Sequence, residues 1–100
     1  VIGKNAGVVM TAGANNNVIV GSAAGSTLTT GASNILIGNG VNTPSATTSN
    51  YLNIGNVIKG SLTTGLIELQ KLLLSALPTS DPVTAGQVWN SNGTLRISAG

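Results

Sequence analysis

The chain has 100 residues, a net charge of +2 and only 6% charged residues, with no Cys, no His, no Phe, one Trp and one Tyr. This excludes a disulfide framework and thiolate or imidazole chemistry, and the two carboxylates, Glu68 and Asp81, fall in different modules and make a paired acid–base site improbable. Lys4, Lys59, Lys71 and Arg96 are too scattered for a nucleic-acid footprint, and the longest apolar stretch, from Leu66 to Leu77, is too short to span a bilayer and contains Glu68, Gln70 and Lys71.

What remains is Gly, Ser, Thr and Asn, with Val, Ile and Leu in short runs. A surface so poor in charge does not suit a lone soluble monomer. It suits a repetitive β-structure that buries itself against copies of itself. No phosphate-binding glycine order is present, and no metal, cofactor or catalytic residue is expected. Asn92-Gly93-Thr94 matches a glycosylation sequon but reads as a turn.

From the start of the chain the dominant signal is internal repetition. β-Branched runs end in glycine at Val1-Ile2-Gly3, Ile19-Val20-Gly21, Leu36-Ile37-Gly38 and Asn53-Ile54-Gly55, with glycine spacings of 18, 17 and 17. A second column keeps the same spacing: Met10-Thr11-Ala12-Gly13, Leu28-Thr29-Thr30-Gly31, Ser45-Ala46-Thr47-Thr48 and Leu62-Thr63-Thr64-Gly65. The extra residue of the first unit falls within Asn15-Asn16-Asn17. Because the chain opens inside a repeat unit, it reads as a fragment, a processed product or the ordered part of a longer protein.

Residues 1–65 therefore read as a shaft, either a β-solenoid or an intertwined β-prism. Strands are expected at Val18–Val20, Ile35–Ile37 and Leu52–Ile54. Alternation along a strand places Val18, Val20, Ile35, Ile37, Leu52 and Ile54 on one face, the expected core. Ile19, Leu36 and Asn53 then point the other way. A row of exposed Ile19 and Leu36 would be a sticky patch, so this second face is expected to be buried against neighbouring chains. The asparagines before each strand suit turns and stacked side-chain ladders.

Over residues 66–77 strong helix formers replace the Asn/Gly/Thr mixture. Leu62, Leu66, Leu69, Leu73 and Ala76 follow a 4-3-4-3 spacing, which predicts a short helix in a trimeric coiled coil. On that helix Glu68 and Lys71 would form a surface ion pair. A strand over Leu66–Leu69 is the alternative. Pro78 ends the segment.

Residues 78–100 read as a separate module. Asp81 caps a turn at Thr79-Ser80-Asp81-Pro82. Gln87–Asn90 and Thr94–Ser98 are expected strands, with Asn90-Ser91-Asn92-Gly93 as the hairpin signal. An isolated hairpin is barely stable, so Trp89 is expected to pack on the helix, or on Trp89 and Leu95 of other copies. Trp and Arg also dominate binding energy at many interfaces. Ser91, Asn92 and Arg96 are therefore candidate receptor contacts. The expected trimer interface comprises Ile19, Leu36, Leu62, Leu66, Leu69, Leu73 and Trp89.

The Gly-x-x-Ala-Gly elements (Gly3–Gly7, Gly21–Gly25), Leu-Thr-Thr-Gly and Asn-Ile-x-Ile-Gly resemble repeats of tail-fibre and appendage proteins of tailed phages. Tyr51-Leu52-Asn53-Ile54-Gly55-Asn56-Val57-Ile58-Lys59-Gly60 is similar to the end of such shafts. Leu77-Pro78-Thr79-Ser80-Asp81-Pro82, Ala85-Gly86-x-x-Trp89-Asn90 and Gly93-x-Leu95-x-Ile97-Ser98 resemble a recurrent C-terminal module of phage structural proteins. The resemblance spans nearly the whole chain. It implies a homotrimer on a virion, with other virion proteins and a host-surface receptor as expected partners; the residues themselves lead to no expected enzymatic activity and no membrane insertion. A capsid-attached fibre or decoration protein carrying the same module is a second reading. Related patterns in trimeric bacterial adhesin heads make a third.

Overall fold

The structure is a computed structural model describing residues 1–100. Seven strands form and no helix: β1 (Val18–Val20), β2 (Ile35–Ile37), β3 (Tyr51–Ile54), β4 (Ile58–Ser61), β5 (Ile67–Leu69), β6 (Val88–Ser91) and β7 (Thr94–Ile97). The first five make one open sheet in chain order, and β6 and β7 a separate hairpin. The protein is mainly β.

The 17-residue period is written into the sheet. Strands β1, β2 and β3 pair in parallel, with Val18 opposite Ile35 and Ile35 opposite Leu52. One unit earlier, Ile2 bridges Val20, 18 residues away, which absorbs the insertion. Pairing is not confined to the strands. Gly7 N–H donates to the Ala24 carbonyl and Gly25 N–H to the Val41 carbonyl, both at 2.8 Å. Thr11 N–H donates to Thr29 and Thr29 N–H to Ala46, at 2.9 and 2.8 Å. Successive layers thus touch at several points around their perimeter, where turn amides donate to carbonyls of the neighbouring layer.

Each layer contributes few side chains to its interior. Ile19 and Leu36 form one inward row, Ala24 and Val41 another, and Leu28 a third, with Ala6, Met10 and Tyr51 packed against them. This reverses the facing expected from sequence. The middle residues Ile19 and Leu36 are 1% and 0% exposed, whereas Val18 and Ile37 are 49% and 37% exposed. A strand of three residues has only one middle position, and the narrow interior takes that one side chain per layer. Alternation alone could not choose the face, because all three positions are aliphatic. Ile19 and Leu36 are covered by their own chain and are not available to a partner.

An asparagine row lines the same interior. Asn17 Oδ1 accepts from the Asn34 backbone N–H at 2.9 Å and from Asn34 Nδ2 at 3.0 Å. Asn34 Oδ1 accepts in turn from Tyr51 N–H at 2.9 Å. The residue before each rung, Asn16, Ser33 and Asn50, has φ of 58° or 59°. Glycine is required at Gly21 for two reasons: φ is +133°, and a Cβ there would strike the Gly38 carbonyl.

Parallel stacking ends at β3. Asn53 takes the inward place of Ile19 and Leu36, and is 2% exposed. Its Nδ2 donates to the Asn42 carbonyl and to Asn56 Oδ1, and its Oδ1 accepts from Asn56 N–H, all at 2.9 Å. Strand β4 then returns antiparallel to β3, and β5 antiparallel to β4. Leu62-Thr63-Thr64-Gly65 is therefore the β4–β5 turn and not a further stacked unit.

No helix forms over 66–77, so the coiled-coil seam is absent. The strand alternative is realised at Ile67–Leu69. A helix this short is marginal without partners, whereas here the edge of β4 offers hydrogen bonds at once, such as Ser61 N–H to the Leu66 carbonyl at 3.0 Å. Glu68 consequently faces Lys59 across the β4–β5 register rather than pairing with Lys71 along a helix.

In the last module, Ser91 pairs with Thr94, leaving Asn92-Gly93 as a two-residue turn with φ of 51° and 88°. Both values are positive, as the hairpin turn that matches strand twist requires. Asn90 Oδ1 accepts from Gly93 N–H at 2.6 Å. Overall the molecule measures 53 × 23 × 18 Å, with a radius of gyration of 18.1 Å, against about 13 Å for a compact 100-residue domain. It is a rod.

Candidate functional site

The outward side of the five-stranded sheet is apolar throughout. Cross-strand partners share a face, so the register defines two outer ladders. One runs Val18, Ile35, Leu52, Gly60, Ile67; the other runs Ile2, Val20, Ile37, Ile54, Ile58, Leu69. Apart from Gly60, every rung is aliphatic. Gly60 has no side chain because a Cβ there would strike the Leu66 carbonyl. No charged residue occurs between Lys4 and Lys59, so no charge interrupts the stacked layers.

The face is open to solvent at Ile2, Val18, Ile37, Ile67 and Leu69 and half-buried at its other rungs. Beyond Val18 and Ile37, Ile67 is 52% and Leu69 40% exposed. Leu72 and Leu73, after β5, are exposed too, as is Leu66, which alternation places on the side opposite Ile67 and Leu69. Soluble monomers seldom leave a contiguous apolar patch larger than a few hundred Å². Among the expected interface residues, then, Leu62, Leu66, Leu69 and Leu73 are exposed, but on strand and connecting segments. Alternation by itself places the outer-ladder residues in the core instead. The signal for them was present: any face made of Ile and Val on every layer is a surface that needs covering.

The hairpin also has two faces. Trp89 lies opposite Arg96, and Ser91 opposite Thr94, on one side; Val88 lies opposite Ile97, and Asn90 opposite Leu95, on the other. Trp89 is half-buried, and Leu95 and Ile97 are 60% and 71% exposed. Trp89 and Leu95 thus project from opposite sides of the hairpin, and no helix exists for Trp89 to pack on. Of the candidate receptor residues, Asn92 and Arg96 are exposed and Ser91 is half-buried.

Asp81 secures this module. Its Oδ1 accepts from Ser98 Oγ at 2.6 Å and from Val83 N–H at 2.9 Å. The Ser98 hydroxyl first, and the Val83 amide second, hold the Asp81 carboxyl below its ordinary range. Gly86 N–H donates to the Ser98 carbonyl, and Ser98 N–H to the Gln87 carbonyl, both at 2.8 Å. Asp81 is thus accounted for as a structural turn residue. The remaining polar concavity is a small open depression lined by Asn56, Val57, Lys59, Glu68 and Gln70. No protein-family model, curated protein or solved structure matches the chain.

Proposed function

We propose that the chain is a virion structural protein, a segment of a homotrimeric phage tail fibre that forms its shaft and tip in host attachment. In this reading the stacked layers are the coils of a β-solenoid, because each layer's parallel neighbours are the chain's own next residues. The observation that carries the proposal is the uncharged aliphatic outer face of the five-stranded sheet, on a molecule 53 Å long. A rod that supplies length needs no pocket, and a face that sheds water needs partners. The family resemblance of the repeat and of the C-terminal module supports the virion setting. The hairpin, with Trp89 and Arg96 together on one side, is the part best suited to contact a host surface.

Sedimentation velocity at micromolar concentration is expected to give a trimer; a well-folded monomer overturns the homotrimer. A gold-labelled antibody raised against the chain is expected to mark the tail-fibre ends of intact phage particles. Gold on the capsid supports instead a capsid-attached fibre or decoration protein. Gold on bacterial surfaces with no phage particle supports a trimeric adhesin.

A further inference from the structure

We infer that Asn92 is a site of spontaneous deamidation, and that the stacked layers keep the chain's other Asn-Gly pair, Asn39-Gly40, intact. This goes beyond the fibre reading and holds whatever the hairpin contacts.

The chemistry needs only the chain and water. The Gly93 amide nitrogen, its proton given up to hydroxide, attacks Asn92 Cγ. A C–N bond forms, the Cγ–Nδ2 bond breaks, and Nδ2 leaves as ammonia with a proton from water. Water then opens the cyclic succinimide at one carbonyl or the other, leaving aspartate or isoaspartate in place of Asn92. No electron is transferred and the chain is not cut. The attacking nitrogen is least hindered when its own residue has no side chain, and among the asparagines only Asn39 and Asn92 precede glycine.

Exposure does not separate the two pairs, since Asn39, Gly40, Asn92 and Gly93 are all exposed. Their backbone partners do. Gly40 N–H donates to the Ser22 carbonyl of the preceding layer at 2.9 Å, and the Val41 carbonyl accepts from Gly25 N–H of that layer at 2.8 Å. The Gly40 carbonyl accepts from Asn42 Nδ2 at 3.3 Å. Val41 itself is 1% exposed and packs in the interior. Turning the Gly40 nitrogen onto Asn39 Cγ therefore means parting bonds that join two layers. Gly93 N–H is held only by Asn90 Oδ1, within the same hairpin. That hairpin belongs to a separate two-stranded sheet. A lone hairpin opens locally at low cost.

Either product adds a carboxylate to a module whose only charged residues are Asp81 and Arg96. Isoaspartate also lengthens the main chain inside a turn that needs positive φ at both residues, which puts the Ser91–Thr94 pairing out of register.

The full chain is held in mildly alkaline buffer, folded in one series and unfolded in urea in another, with circular dichroism verifying each state. Peptide mass spectrometry over several weeks reads amide-to-acid conversion at both sites, and an isoaspartate-specific methyltransferase identifies the product. In the folded chain Asn92 is expected to convert at least roughly tenfold faster than Asn39, the ratio that a difference of about 1.4 kcal/mol in opening gives. In urea the two rates are expected to converge. An Asn92 that stays intact in the folded chain, or an Asn39 that converts as fast, overturns the assignment. A ratio that persists unchanged in urea overturns it too, because the difference then belongs to the neighbouring residues and not to the layers.

Discussion

Asn34 stacks on Asn17, its backbone N–H and its side-chain amide both donating to the same Asn17 oxygen at 2.9 and 3.0 Å. Asn34 is fully buried, and its Nδ2 also reaches the Thr48 carbonyl at 2.8 Å while its Oδ1 receives Tyr51 N–H at 2.9 Å. It therefore ties three layers together with one side chain. Replacing it by Ala leaves the Thr48 carbonyl and the Tyr51 N–H without this partner, each costing about 1–3 kcal/mol. Asn34→Ala is expected to lower stability by at least about 2 kcal/mol in urea unfolding. Asn34→Asp is expected to fare little better, since a carboxylate cannot donate to Asn17 Oδ1 or to Thr48. A near-neutral Asn34→Ala would show that the row carries no weight.

Glycine substitutions separate steric from conformational demands. At Gly31, where φ is not positive, a Cβ would fall on the Thr48 carbonyl and 2.7 Å from Leu28 Cδ1. Gly40 has φ +66° but open space around it. Gly40→Ala should therefore cost only the left-handed backbone penalty, about 1–2 kcal/mol. Gly31→Ala should cost clearly more, because Thr48 is backbone and cannot move aside without parting two layers. Thermal melts of the two variants in parallel test the order; equal Tm values would contradict it.

The inverted facing of β1 and β2 has a direct signature. Leu36→Ala removes a fully buried side chain and should cost about 2–5 kcal/mol, independent of protein concentration. Ile37→Ser, on the outer ladder, should weaken assembly and shift Tm in a concentration-dependent way. Melting curves across a hundredfold concentration range distinguish these. If Ile37→Ser behaves like Leu36→Ala at every concentration, the facing is wrong.

Asp81 gives the last module an acid limb. Its folded carboxyl titrates below the ordinary Asp value. The stabilising contacts to Ser98 and Val83 are therefore fully present above that ordinary value, near 3.9, and are lost as pH falls through the lower, folded value. The Ser98 and Val83 amide resonances should shift within that acid window and stay constant above it. In Asp81→Asn the shift should vanish. A midpoint at or above the ordinary value in the parent chain would refute the assignment.

For the hairpin, Trp89→Ala and changes at Asn92 should part company. Loss of the half-buried indole should lower the Tm of the module, whereas Asn92→Gly, at an exposed turn position with φ 51°, should leave it folded. Adsorption to host cells lost in Asn92→Gly or Arg96→Ala, with the trimer intact, would make this loop the receptor contact. Unchanged adsorption in both would leave the hairpin as a terminal lock.

The local rules of the chain are legible in its sequence. The glycine and asparagine spacings state the 17-residue period, the insertion near Asn15–Asn17, the strands before each glycine and the Asn92-Gly93 turn, because each depends on neighbouring residues and on positive φ. Three things were decided only by tertiary structure. Ile19 and Leu36, not their neighbours, went inside, because the narrow interior admits one side chain per three-residue strand and Val, Ile and Leu are equivalent in alternation. Asn53 was drawn into the core row, where Asn42 and Asn56 satisfy its amide. Ile67–Leu69 became a strand in spite of helical spacing, because an unpaired β4 edge supplies hydrogen bonds that a short isolated helix cannot match with packing.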